Sequence, residues 1–508
     1  MVQNSLKPES TIKTSPGDYC TLETRTIIKS AVLFLATFVI YFVSRSPGLD
    51  DFDSVNFALG LRQFNLWEHQ PHPPGYPLFI FSGWLLQKLL HIGPQAALEI
   101  VSVFGGALLV ASWFLIIQLQ FGERPAWWVA ICLAVTPVVW MTATKVLSDA
   151  FASGLLSFEI FAAIYFLKRR SGGALLSASL LGAAVTGVRP QLILVAVVVL
   201  VTALKQAKAG LKTWMSGLCI FFIGCLTWLL PTCYLQAQLR PDLPAWLVYP
   251  QLLFGQWKWR LNNPYAFIGA GNWSPRYLAV RFADHILGWF GLGFGLIQSW
   301  PAFVVGVVIF LGGLVAYFSH RRSSEDTAFW RFHAPWALLH ILIIFAFLGG
   351  KQRYYLVIFP LLLAVILRGW LNLRKPWSSA TFLLPLLLLS ITIPTAVQSH
   401  REQPPPVRLV RYLSQLYPIK KRKDVALLFT HAQRHAEWYA PEFRVFTVVP
   451  SPQNLANDLG NAIAVYTDDD KLPLPSGWRR VPMAIFQRSV IIHSKYHSVM
   501  LYLILRES

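Results

Sequence analysis

Residues 46–79 read SPGLDDFDSVNFALGLRQFNLWEHQPHPPGYPLF. The stretch follows an apolar run over 27–44 and sets Asp50, Asp51 and Asp53 just past its end. His69 and His72 come next, ahead of a stiff Pro73-Pro74-Gly75-Tyr76-Pro77 corner. A carboxylate at the edge of a membrane is costly to keep there and marks a functional site.

That the neighbouring run is a membrane helix follows from composition. The chain has 508 residues, 55% of them hydrophobic and only 13% charged, with mean hydropathy +0.48. A soluble domain carries roughly 25% charged residues, so this is a polytopic membrane protein, mainly α-helical. The net charge of +20 does not indicate nucleic acid, because the Lys and Arg residues sit in short loops between apolar runs. There they set topology and meet anionic lipid. Cys20, Cys132, Cys219, Cys225 and Cys233 have no metal-ligand spacing and imply no disulfide framework.

A spanning helix needs about 20 apolar residues. Outward from the opening stretch, the runs fall at 27–44, 95–120, 126–144, 148–167, 174–188, 191–204, 213–235, 286–319, 333–349, 354–369 and 379–397. They predict about eleven spans. Residues 76–90 read as a shorter helix lying along the interface, and 236–285 as an aromatic interfacial loop. Lys168-Arg169-Arg170, Lys205, Lys208, Lys212, Arg321-Arg322, Arg368, Arg374 and Lys375 fall on alternate loops. Positive-inside topology puts them, with the N-terminus, in the cytoplasm. The remaining charge then collects on the other face: the first external loop over 45–94, Lys145 to Asp149, Arg189 and Lys351 to Arg353.

Three regions result: a disordered cytoplasmic tail over 1–26, a transmembrane domain over 27–399, and a small extracytoplasmic α/β domain over 400–508. In the last, VALLFT, FRVFTVV, NAIAVYT, RVPMAIF and VMLYLIL read as strands and HAQRHAEWYA as a helix. No glycine-rich phosphate loop or nucleophile elbow is visible in it.

Among the candidate site residues, Asp53 opens a helix over 53–63 and is the favoured general base, with Asp51 and Asp50 behind it. Burial beside lipid is expected to raise its pKa toward a useful range. The competing reading is that the three acids only cap that helix. The proline corner holds His72 in place beside His69 and Tyr76, and a divalent cation on the two histidines and the aspartates is a less favoured alternative. Lys145 and Asp149, four residues apart, share a helical face as an ion pair or as cavity-facing groups. Glu159 reads as a buried structural acid. Arg189 with Gln191, and Lys351 and Arg353 with Tyr354, are cation-bearing groups on the face that positive-inside topology disfavours. They suit either snorkelling or the binding of a lipid phosphate.

The pattern SPGxxxxDSxxFAxGL followed by HPPGYPL resembles the first external loop of GT-C fold glycosyltransferases. These are the protein O-mannosyltransferase and aminoarabinose transferase group and the related DUF2723 proteins. The resemblance continues at Thr136-Pro137, Lys145 to Asp149, Gly187 to Pro190, and Arg353-Tyr354 with Pro360, over roughly 27–397. It implies a multi-pass glycosyltransferase of the cell envelope, set in a bacterial inner (plasma) membrane. The implied donor is a sugar on a polyprenyl phosphate, and the acceptor is a hydroxyl of a glycan, lipid or protein. The family's loop acid falls on Asp53 with Asp51 in reserve, attack proceeds with inversion, and Arg353 steadies the leaving phosphate. The DUF2723 pattern carries a glutamate where this chain has Val55 and Asn56. No further cofactor is expected. The alternative is a transporter or flippase for a lipid-linked or anionic substrate, which calls for two similar halves with matching broken helices. No such repeat is present.

Overall fold

A computed structural model describes residues 24–263, 273–286, 288, 295, 300–320, 323–347, 351–374, 377–447, 451–491 and 496–506. Most of the expected N-terminal tail and residues 264–272 of the aromatic loop lie outside the described residues.

In hydrocarbon a lone segment can satisfy its own backbone only as a helix, and the apolar runs fold that way. The order is α1 (Thr24–Val43), α2 (Phe52–Arg62), α3 (Pro77–Leu90), α4 (Pro94–Phe121), α5 (Glu123–Ala134), α6 (Pro137–Ala143), α7 (Ser148–Arg169) and α8 (Gly172–Val188). Then come α9 (Ile193–Gln206), α10 (Leu211–Gln238), α11 (Ala245–Leu261), α12 (Pro275–Ile286), α13 (Trp300–Ser319), α14 (Ser324–Phe347), α15 (Phe359–Leu371) and α16 (Leu383–Arg401). Among the described residues, six helices are long and apolar enough to cross a membrane. Five shorter apolar helices, α3, α8, α9, α13 and α15, pack among them. The span expected over 126–144 is two helices, α5 and α6, bent by 58°. The break falls at Thr136, whose extended backbone is what a following proline imposes.

The core is built on α4, which packs against α1, α3, α5 and α7. Trp113 at its centre is fully buried and donates its indole N–H to Ser157 Oγ at 3.0 Å. Higher up, α4 and α7 meet backbone to backbone. A Cβ added at Gly105 would stand 2.2 Å from Phe151 Cα, and one at Gly154 2.3 Å from the Gly105 carbonyl oxygen. Glu159, further along α7, is wholly buried and packs against Gly182 of α8. The outward faces of α1 and α10 expose Val32, Leu35, Phe222, Ile223 and Leu230, the apolar surface that a lipid-facing helix presents.

Beyond α16 the chain folds around a sheet. Here α17 (Pro405–Leu416), α18 (Ile419–Arg422), α19 (Gln433–Tyr439) and α20 (Pro452–Leu459) accompany β1 (Val425–Leu428), β2 (Arg444–Val445), β3 (Ala464–Thr467), β4 (Trp478–Gln487) and β5 (Ser498–Arg506). The strand order is β2-β1-β3-β5-β4. The first three are parallel and β5 runs antiparallel to both β3 and β4. β1 is buried along its whole length, which its unbroken Val-Ala-Leu-Leu run reflects. Of the strand expected in FRVFTVV, the described residues, which end here at Thr447, form strand at Arg444–Val445.

Candidate active site

Four separate segments deliver charge to one place, and each does so for a local reason. α8 stops because Pro190 forces Arg189 out of the helical region, to φ −141° and ψ 91°. Asp149 lies in the first turn of α7. Arg353 sits on a short 3-10 turn, Gln352–Tyr355, between α14 and α15. Asp51 is the N-cap residue of α2 and Asp53 lies in its first turn.

Those acids do not cap the helix: Asp51 makes no side-chain cap hydrogen bond. Its Oδ2 instead accepts from Arg353 Nη1 at 2.8 Å, and Asp53 Oδ2 accepts from Arg353 Nη2 at 2.5 Å. Asp149 Oδ2 stands 3.9 Å from Arg353 Nε, and its Oδ1 is ion-paired with Arg189. The Arg353 side chain is only 10% exposed; both Nη groups donate to carboxylates, and Nε has no hydrogen-bond partner among the described residues.

Burial alone would raise the Asp53 carboxyl. The charges of Arg353, His72 and Lys351 and the Arg353 hydrogen bond outweigh it and hold the carboxyl well below the usual carboxylate range. This reverses the expectation of a raised value, because the guanidinium arrives from 300 residues away and nothing beside Asp53 announces it. Lys351 itself is exposed.

The proline corner works as a shaped wall. Gly75 at φ +102° and Tyr76 at φ +49° turn the chain into α3, left-handed backbone that is unfavourable for tyrosine. Burial pushes the Tyr76 hydroxyl up to about 12, so it keeps its proton. His72 Nε2 lies 2.9 Å from that oxygen, and Gln191 Nε2 donates to it at 3.4 Å. A neutral His72 accepting the Tyr76 proton at Nε2 carries its own on Nδ1, which lies 3.8 Å from Asp53 Oδ1. Arg189 and Arg353 each stand 5.6 Å from the Tyr354 ring centre. Asp149, Arg189, Gln191, Arg353 and Tyr354 line a small cavity closed on the helix side by His340, Ile344 and Val357.

Three candidates belong elsewhere. Asp50 is 2% exposed and pairs with Lys145 and, at 2.5 Å, with Arg488 Nη1. Lys145 therefore shares no helical face with Asp149: it lies in the turn before α7, and its partner is Asp50. His69 stands aside on a left-handed residue, φ +58°, near Arg434. Among the described residues no group of three or more His, Cys, Asp or Glu side chains is arranged to hold a metal ion. The carboxylates that converge do so around guanidinium groups.

Sequence reasoning missed the part played by the C-terminal sheet region. His435 Nε2 lies 3.0 Å from the Leu49 carbonyl oxygen, and Leu49 N–H donates to Tyr439 Oη at 2.9 Å. Tyr439 in turn donates to Gln95 Oε1 at 3.1 Å. With Arg488 on Asp50, three consecutive holds precede Asp51. Nothing local in 431–439 or 488 signals this. His340 was findable, as an imidazole inside an apolar run; its Nε2 lies 3.1 Å from the Tyr354 carbonyl oxygen.

Over 94% of its length the chain matches ArnT from Cupriavidus metallidurans in the apo state, covering 98% of that chain with a TM-score of 0.56 at 13% identity. The chain has the GT-C fold. The ArnT structure bound to undecaprenyl phosphate matches over the same shares, with a TM-score of 0.54 at 12% identity. The Archaeoglobus fulgidus oligosaccharyltransferase in complex with Zn and sulfate matches 86% of this chain and 68% of its own (TM-score 0.54, 13% identity). The arabinofuranosyltransferase AftD from Mycobacteria matches 94% of this chain and 40% of its own (TM-score 0.53, 14% identity). No protein-family model and no curated protein matches the sequence. In this GT-C chain the match to ArnT takes in both the helices and the C-terminal sheet region, since it leaves only 6% of the chain uncovered.

Proposed function

We propose that the chain is a membrane glycosyltransferase that moves a sugar from a polyprenyl-phosphate donor to an acceptor hydroxyl on the extracytoplasmic face of a bacterial inner membrane. The observation that carries this is the convergence of Asp51, Asp53, Asp149, Arg189 and Arg353 at the ends of four segments, all in one GT-C fold.

Arg353 and Arg189 offer the planar paired donors that suit a phosphate. Tyr354 lies against both guanidinium groups, and Tyr76, His72 and Gln191 supply hydroxyl and amide contacts for the sugar or its phosphate. Asp53 takes the acceptor's proton as the acceptor oxygen attacks the anomeric carbon. The bond from that carbon to the phosphate oxygen breaks, and its electron pair leaves with the polyprenyl phosphate, inverting the centre. Charge growing on the leaving phosphate meets fixed guanidinium groups, the electrostatic form of catalysis. The acceptor is a glycan, lipid or protein hydroxyl.

A transporter would carry its charges near the middle of its spans. These sit at helix ends, in α2, at the start of α7, after α8 and before α15. The test is transfer and binding by the full chain in nanodiscs. Wild type should release polyprenyl phosphate from a lipid-linked sugar when an acceptor is present, and Arg353→Ala should lose donor binding. Donor bound equally well by Arg353→Ala removes the phosphate role.

A further inference from the structure

We propose that the donor arms its own base: its phosphate takes the two Nη positions of Arg353 from Asp51 and Asp53, and only then is Asp53 free to accept a proton. The inference rests on the glycosyltransferase reading above and adds an order of events to it.

The geometry leaves a phosphate little choice. A guanidinium offers five N–H donors in a fixed fork. One Nη faces Asp51 at 2.8 Å, the other faces Asp53 at 2.5 Å, and the Nε edge is turned toward Asp149. The side chain is nine-tenths buried and its Nε has no hydrogen-bond partner among the described residues, but each Nη already donates to a carboxylate. A phosphate that binds across the two Nη groups displaces those carboxylates. Arg189 cannot substitute freely, because it is ion-paired with Asp149.

Charge drives the exchange in the useful direction. Three carboxylates, Asp51, Asp53 and Asp149, face two guanidinium groups, Arg189 and Arg353. Lys351 acts on Asp53 from the exposed side, and Tyr496, from the C-terminal sheet region, lies within electrostatic reach of Asp51 and Asp53. A phosphate adds a further negative charge and removes from Asp53 the hydrogen bond that kept it a weak base. Both effects raise its affinity for a proton. His72 Nδ1, 3.8 Å from Asp53 Oδ1, is placed to hold the released carboxylate toward the acceptor. Without donor, the acids stay neutralised and no acceptor hydroxyl is activated.

The test is an infrared difference spectrum of the full chain in nanodiscs on adding a sugar-free polyprenyl phosphate, with binding followed in parallel by tryptophan fluorescence. The expected result is saturable binding with a shift of a carboxylate stretching band that is lost in Asp53→Asn and kept in Asp50→Asn. Saturable binding with no Asp53-dependent band overturns the inference while leaving the donor reading in place. No saturable binding overturns both. In turnover, the acid limb of the kcat profile should lie at higher pH than that of kcat/KM for the donor, since the first reports the complex and the second the free enzyme. Coincident limbs also count against the exchange.

Discussion

Arg488 reaches 438 residues back along the chain to place its Nη1 2.5 Å from Asp50 Oδ1, with both side chains almost wholly buried. Lys145 completes the group from the turn before α7. Asp50 is thus one carboxylate shared by two cations, and that arithmetic separates its role from that of its neighbours. Asp50→Asn strands two buried positive charges and should cost about 3–5 kcal/mol. Arg488→Met leaves a complete Asp50–Lys145 pair and should cost less. Thermal unfolding of the purified chain checks the order, and a reversed order would mean that Asp50 does not hold the group together.

Asp53→Asn should behave differently. Arg353 keeps Asp51 and the nearby Asp149, so the fold should survive. Transfer should fall about 100- to 10,000-fold, the range for loss of a general base. Asp51→Asn leaves Asp53 with Arg353 and should lose much less. Equal losses in the two variants would erase the ranking of Asp53 over Asp51.

His72 predicts a pH dependence of stability. Burial, reinforced by Arg353, His69 and Arg189 against the opposing Asp53, lowers its pKa in the folded chain. The unfolded chain therefore binds the proton first as pH falls. Stability contributed by neutral His72 is full above the unfolded value of about 6.5 and declines as pH drops through that value toward the lower folded one. His72→Gln should flatten the unfolding profile below about pH 6.5. Asp53, depressed in the fold, adds its own loss only at far more acid pH. An unchanged slope in His72→Gln would assign the dependence to another group.

Tyr439→Phe removes the hydroxyl that accepts the Leu49 N–H and donates to Gln95. A buried polar group left without its partner costs about 1–3 kcal/mol. The Leu49 amide should exchange with solvent faster in the variant, as hydrogen–deuterium mass spectrometry of a peptide covering 46–53 would report. Unaltered exchange there would show that the hydroxyl does not restrain the loop.

How far the sequence could be read depended on the range of each interaction. Apolar runs and prolines act locally, so the helices and the break at Arg189 were legible from residues beside them, while the bend at Thr136 inside the expected 126–144 span was not. Most of the site was legible too, as a set of charges expected to gather on one face. Their pairing was not. Asp50, Asp51 and Asp53 look equivalent as letters, yet the chain turns between them: Asp50 faces a lysine and an arginine in a buried corner, while the next two face Arg353. The four-residue spacing of Lys145 and Asp149 predicts a shared helical face, but α7 begins only at Ser148. The reversed shift at Asp53 has the same origin, since burial can be inferred from surrounding letters and a distant guanidinium cannot.

Asp149 is carried on the first turn of α7, and α7 is pressed against α4 at Gly105 and Gly154 with no room for even one methyl group. Spacing between two backbones inside the bilayer therefore gauges the position of a carboxylate at its edge. A single carbon added at Gly154 must push the helices apart, and the displacement is delivered one and a half turns away to the acid that holds Arg189 and borders Arg353. The charged chamber is thus calibrated by a seam that carries no charge.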